Sequence, residues 1–312
     1  IQSLDVTPKI QVVTIPGQGG NKGAKEAAKA KPDGCTLFAI HQSAMTSYLN
    51  GRIKFSYENF ETVANLTSTP DIVGAGGKST ILFSLGRELA DAGCRVILTT
   101  TTKMARDQVT EPACWSVDPV AVEQSLVAGS PLFVALGAVP GKVTGPTPEG
   151  VDRLFAETSA DHVVVEADGA RSMSVKAPAT HEPVIPATST LVIVVAAIDA
   201  VGCPIGEVAH RPDRVAALAE VSEDDALTVP ALASVLLHPE GGLKGIPESA
   251  RIAVVVTRVT ADTEQPAADL TGLLLAHSRI ARAITLPVAS RGTLEAETRR
   301  ETRAHRQARL GS

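Results

Sequence analysis

The chain has 312 residues, long enough for one large α/β domain or two smaller ones around a buried core. Apolar residues make up 44% and charged ones 20%, with a net charge of −5 and a pI near 5.8. That balance gives no general pull toward nucleic acid or an anionic membrane, and neither partner is expected. The longest useful apolar run, LVIVVAAI at 191–198, is too short to cross a bilayer and suits a buried strand.

From Ile1 onward there is no charged-then-apolar leader, so export is not legible at the N-terminus. Cys35, Cys94, Cys114 and Cys203 are scattered without a C-x-x-C pair. They read as small core residues of a reducing compartment rather than a zinc or disulfide framework.

In chain order, KIQVVTIP predicts a strand, GQGGNKGAKEAAKAK a glycine-rich turn into a helix, and CTLFAIH a second strand, together a βαβ fragment. Composition changes near residue 71: the part before it holds Tyr48 and Tyr57, the part after it is Val/Ala-rich. There a helix is expected over 79–92, the strand RVILTTTT over 95–102, a helix near 119–128, the strand PLFVALG and a helix near 149–159. Strands HVVVEADGA and TLVIVVAAIDA follow, then helices near 211–221 and 229–237, the strand RIAVVVTRV, a helix near 265–277 and a last strand AITLPVA. Such β–α alternation with continuous apolar strands predicts an α/β fold, a mainly parallel sheet covered by helices on both faces. Ligands of such sheets collect at the C-terminal strand ends. The tail 291–312 is basic and is expected to be flexible.

The stretch GAGGKST at 74–80 carries the chemistry. A strict G-x-x-x-x-G-K-[ST] pattern would need glycine where Ile72 stands, so what remains is a compact loop with Gly74, Gly76 and Gly77. Lys78 would serve β/γ-phosphate oxygens, and Ser79 or Thr80 would give a hydroxyl to Mg²⁺. Pro70 is expected to interrupt the preceding strand. The alternative is a glycine turn entering a helix with an exposed lysine.

HVVVEADGA brings Glu166 and Asp168 to a strand end, where a carboxylate would hold Mg²⁺ or water; Ser79 and Asp168 are the metal-ligand candidates, Asp168 and Glu166 the catalytic ones. Thr101, in the threonine run 99–102, with Lys103 and Arg171, adds candidate phosphate contacts on the same rim, although β-branched threonines also simply suit strands. Polar loops around Lys176, Glu182, His210, Arg211 and Lys244 complete the set, their histidines read as structural.

GAGGKST, LTTTTKM, VVVEADGARSMSVKAPATHEPVIP, HRPDR and LLHPEGGLKGIP, in this order, resemble the YqeC family, accessory proteins of selenium-dependent molybdenum hydroxylases, over about 72–285. The resemblance implies a P-loop NTPase-like three-layer α/β/α domain over 72–290, binding ATP or GTP with Mg²⁺. It also implies a cytoplasmic location, a place in selenium or molybdenum cofactor maturation, and the hydroxylase or its maturation machinery as partner. Thr257-Arg258-Val259-Thr260 stands where that family tends to have an Asn-Lys-x-Asp-like base-reading segment, and NLTSTPDIV stands in place of its first strand.

Residues 1–71, through PGQGGNKGA and PDGCTL, resemble an internal piece of the periplasmic TctC or Bug-type solute-binding proteins of tripartite tricarboxylate transporters, which hold small carboxylates between two lobes. The chain therefore reads as a junction of two unrelated segments near 70–74. A carboxylate-binding module and an inactive fusion are the alternatives to a nucleotide-binding accessory protein.

Overall fold

The computed structural model describes Glu26, Ala27, Lys29 and residues 69–288. At Glu26 a helical turn carries a 2.7 Å Lys29–Glu26 ion pair. The other expectations for 1–68, including the solute-binding-protein fragment, and those for the tail lie outside the described residues. The chain divides into two compact units, of which the larger holds the sheet.

Eight strands form that sheet: β1 (Pro70–Gly74), β2 (Val96–Thr100), β3 (Ala113–Cys114), β4 (Leu132–Val134), β5 (His162–Glu166), β6 (Leu191–Ala197), β7 (Arg251–Val259) and β8 (Ile280–Pro287). Their order is β8-β7-β6-β1-β5-β2-β4-β3, and every neighbouring pair is parallel. Long connections between parallel strands contain α1 (Lys78–Asp91), α2 (Pro119–Ser125), α3 (Pro148–Glu157), α4 (Pro212–Ala219), α5 (Val229–Leu237) and α6 (Glu264–Leu275). The mixed α/β architecture and large parallel sheet are as expected, and they are compatible with three layers.

Local chemistry starts several of these helices. Asp118, Thr147 and Thr228 accept the amide N–H of Ala121, Gly150 and Ala231, and each cap is followed by a proline in the first turn. A side-chain acceptor satisfies one orphan donor, and proline has no N–H to orphan.

Pro70 does not interrupt the strand before the glycine loop; it begins it. A strand's first residue tolerates the missing N–H, and Thr69 anchors this start through bonds to the Thr190 hydroxyl (3.1 Å) and the Thr188 carbonyl (2.8 Å). From Pro70 the strand pairs in register with β6, and at Asp71 and Ile72 with β5. NLTSTPDIV thus ends in a central strand.

Ile72 is fully buried in the core between α1 and the sheet, with Leu82, Phe83, Leu98, Phe133, Val164 and Val195. Ile72 thus lies within β1, and the chain leaves the strand only at Gly74. Gly86 in α1 sits so close to β2 that a Cβ would lie 2.6 Å from the Leu98 side chain.

Some boundaries differ from expectation. RVILTTTT stops at Thr100, after which Lys103–Ala105 joins a separate antiparallel ribbon with Lys142–Thr144 and Gly137–Val139. The helix expected near 119–128 ends at Ser125, and β8 begins at Ile280 instead of Ala283. Among the described residues no helix is long and apolar enough to cross a membrane.

Candidate functional site

After β1 the chain builds outward through β2, β4 and β3, returns at β5, then continues on the opposite side of β1 through β6 to β8. β1 is therefore the point where strand order reverses, and a crevice opens outside the carboxyl ends of strands at such a point. Gly74–Gly77 leaves β1 there and enters α1.

The loop lies tightly on β6. A Cβ at Gly74 would fall 2.2 Å from the Val195 carbonyl oxygen and one at Gly76 2.5 Å from the Ala197 Cβ; both glycines have positive φ, 96° and 83°. Only glycine meets both demands cheaply. Ala75 donates its N–H to the Val195 carbonyl at 2.9 Å, and the first helical bond runs from Ile81 N–H to the Gly77 carbonyl at 3.0 Å. The amides of Lys78, Ser79 and Thr80 precede that bond and have no acceptor within the helix. Among the described residues no side chain caps this end.

Side chains from three segments converge beneath the loop. Lys78 is buried; its Nζ donates to the Gly74 carbonyl at 2.7 Å and stands 3.2 Å from Asp168 Oδ1. Asp168 Oδ2 accepts the Gly74 N–H at 3.0 Å and pairs with Lys176 Nζ at 2.9 Å. Ser79 donates its hydroxyl to Glu166 Oε2 at 2.8 Å. Burial pushes the Glu166 carboxyl above its ordinary range, against the pull of Lys78 and the Ser79 bond.

The network continues outward. Lys176 Nζ also reaches Glu182 at 3.0 Å and the Gly169 carbonyl at 2.6 Å, and Arg211 pairs with Glu182 at 2.8 Å. Burial opposes the ionised form of Glu182, but the bond and charge of Lys176, followed by the Arg211 bond, outweigh it and hold its pKa down to about 2. Asp168 thus sits between two lysines and Glu182 between a lysine and an arginine.

Of the residues singled out in the sequence, Gly74, Gly76, Gly77, Lys78, Ser79, Glu166 and Asp168 come together. Ser79 contacts Glu166, not Asp168. Thr101 lies beside them, its N–H on the Glu166 carbonyl at 3.1 Å and its hydroxyl on the Val184 carbonyl at 2.7 Å. Thr80, Lys103 and Arg171 are exposed, and no described hydrogen bond or ion pair joins their side chains to Glu166 or Asp168.

Two residues enter that sequence reasoning left among loops or strands: Lys176, whose signal was a lone charge in the apolar run Val175-Lys176-Ala177-Pro178, and Thr257, whose hydroxyl donates to the Gly76 carbonyl. A cavity of about 20 Å³ bordered by Gly74, Asp168 and Lys176 has room for a single water. A ligand of nucleotide size would therefore lie outside it, on the rim. A larger concavity of about 360 Å³, lined by Leu218, Glu220, Leu237 and His238, contains none of the expected site residues. Among the described residues no group of three or more His, Cys, Asp or Glu side chains is placed to hold a metal ion.

A family model described as YqeC protein matches residues 71–213, from the second residue of β1 through the start of α4. The protein of Escherichia coli (strain K12) named "Uncharacterized protein YqeC" is 36% identical over 191 residues, covering 60% of this chain and 74% of that protein. The matched segment contains the glycine loop, Glu166, Asp168, Lys176, Glu182 and Arg211, so the network just described is built from family sequence, and this chain belongs to the YqeC family.

Proposed function

We propose that the chain is a P-loop NTPase-like accessory protein that binds ATP or GTP with Mg²⁺ over residues 74–80 and serves cofactor maturation in selenium-dependent molybdenum hydroxylases. The supporting observation is the meeting, at the strand-order reversal, of a helix N-terminus, a buried lysine and a hydroxyl–carboxylate pair.

The residues fit the ligand. The unbonded amides of the first turn of α1 and its dipole favour phosphate oxygens. Lys78 is held in waiting by Gly74 O and Asp168; an arriving phosphate would take it from Asp168, which keeps Lys176 and the Gly74 N–H as partners. Ser79 and Glu166 would hold Mg²⁺, a cation that commonly takes one or two carboxylates and completes its shell with phosphate and water. A larger cluster of protein ligands is not required. Bound Mg²⁺ would neutralise phosphate charge. Glu166 must be ionised for this, so its burial makes the site sensitive to pH.

Titration calorimetry of Mg-ATP and Mg-GTP into the intact chain and Lys78→Ala tests the reading. Saturable binding that weakens at least about tenfold in the variant supports it. Absence of binding by the intact chain, or equal binding by both, refutes it. Phosphate release in the same samples separates binding from turnover. The maturation role is tested in a host that makes such a hydroxylase: removing the chain should lower hydroxylase activity, and Lys78→Ala should fail to restore it.

A further inference from the structure

The end of β7 reaches the glycine loop. Thr257, buried near the carboxyl end of the strand, donates its hydroxyl to the Gly76 carbonyl, with the Ala196 carbonyl as a second acceptor at 3.4 Å. Its methyl group lies over the next residue: a Cβ at Gly77 would stand 3.4 Å from Thr257 Cγ2. The Gly76–Gly77 backbone is thus enclosed by Ala197 of β6 on one side and Thr257 on the other.

Residues after Thr257 hold it there. Arg258 adopts a left-handed backbone (φ 58°) and places its guanidinium on Asp199 at 2.8 Å and the Ser174 hydroxyl at 3.0 Å. Thr260 is used locally, bonded with Thr263 at the start of the turn that leads into α6. The polar side chains at 257, 258 and 260 are therefore engaged within the protein.

In a trans peptide the carbonyl and the following N–H point in opposite directions. Fixing the Gly76 carbonyl toward Thr257 fixes the Gly77 N–H away from it. A Gly–Gly peptide otherwise flips at little steric cost, because neither residue has a Cβ. We infer that Thr257 is a positioning residue that sets the Gly76–Gly77 peptide for phosphate, so that it acts on every nucleoside triphosphate alike and does not read the base.

This inference rests on the nucleotide reading, and three probes keep the two apart: Mg-ATP, Mg-GTP and Mg-tripolyphosphate, each titrated into the wild-type chain, Thr257→Val and Thr257→Ser. Thr257→Val keeps the shape and loses the donor. It should weaken all three ligands by the same factor, about tenfold for one buried hydrogen bond, while Thr257→Ser should stay within about threefold of wild type. Binding retained by Thr257→Ser but weakened in Thr257→Val assigns the effect to the hydroxyl and not to the packed methyl group. Binding by wild type and Thr257→Val with equal affinity overturns the role of Thr257 and leaves the nucleotide reading intact. A loss confined to ATP or to GTP overturns the base-independent part. No binding of any probe by wild type overturns both.

Discussion

Ser79 gives its hydroxyl to Glu166 at 2.8 Å, tying the first turn of α1 to the end of β5 across 87 residues of sequence. Sheet order creates this contact: β5 returns to lie beside β1, so the last residue of one strand faces the helix that follows the other.

Glu166→Gln keeps a hydrogen-bond acceptor for Ser79 but removes the charge. On the proposed reading, Mg²⁺ should then strengthen nucleotide binding at least about tenfold less than in wild type. Because burial raises the Glu166 pKa, protons compete with the metal over a wider range than for an exposed glutamate. Wild-type Mg-nucleotide affinity should fall more steeply than that of the variant as pH is lowered through that raised value, because protonation of the ligand's terminal phosphate is common to both. Calorimetry across a pH series without and with Mg²⁺ reads both, and a wild type no steeper than the variant would count against the role given to Glu166.

Ile72→Gly restores the glycine of the longer loop pattern, yet it should harm the protein. The substitution empties a fully buried core position and loosens a central strand. The expected cost is about 3–5 kcal/mol in denaturant unfolding, from lost packing and added backbone freedom, with no gain in nucleotide affinity. A stable variant that binds more tightly would show that Ile72 belongs to the loop instead.

Asp71 is fully buried in β1, and among the described residues neither of its carboxylate oxygens has a hydrogen-bond partner. Ser189 is near but gives its hydroxyl to the Pro186 carbonyl at 2.7 Å. Burial foremost pushes the Asp71 carboxyl well above its ordinary 3.8, and the charge of Asp152 adds to it. The unfolded chain releases this proton near 3.8 while the folded chain retains it, so stability should decline as pH rises from there through the raised folded value. Asp71→Asn should remove the decline, and Asp71→Val should stabilise the protein at neutral pH by about 1–3 kcal/mol. Melting curves at several pH values decide; a less stable Asp71→Val would point to a partner for the carboxylate.

Glu182 has the opposite sign. Its folded pKa is depressed to about 2 against an ordinary 4.5, so its stabilising contribution is present above 4.5 and is lost as pH falls toward 2. Glu182→Gln should unfold less steeply with acid in that window and be less stable than wild type at neutral pH, since Lys176 and Arg211 lose a charged partner. An unchanged acid limb would remove Glu182 from the network.

Much of the scaffold was legible before folding. β7 and α5 match their predicted spans, because a nine-residue apolar strand and a threonine-capped helix announce themselves locally. The glycines and Lys-Ser-Thr of the loop were equally plain, as were the carboxylates closing β5. β1 was not: PDIVG is short and begins with the residue least suited to a ladder. Its place comes from neighbours on both sides, β6 and β5, which contribute hydrogen bonds that no local pattern encodes.

The sequence by itself determined which chemical groups were available and, for most of the described segments apart from β1, whether they would be helix or strand, since periodicity, caps and glycine conformations act over a few residues. Tertiary structure alone decided that Ser79 meets Glu166, that Lys78 and Lys176 share Asp168, and that Thr257 holds Gly76. Those pairs are set by the order of parallel strands across the sheet, which brings the carboxyl ends of β1, β5, β6 and β7 to one rim although they lie far apart along the chain.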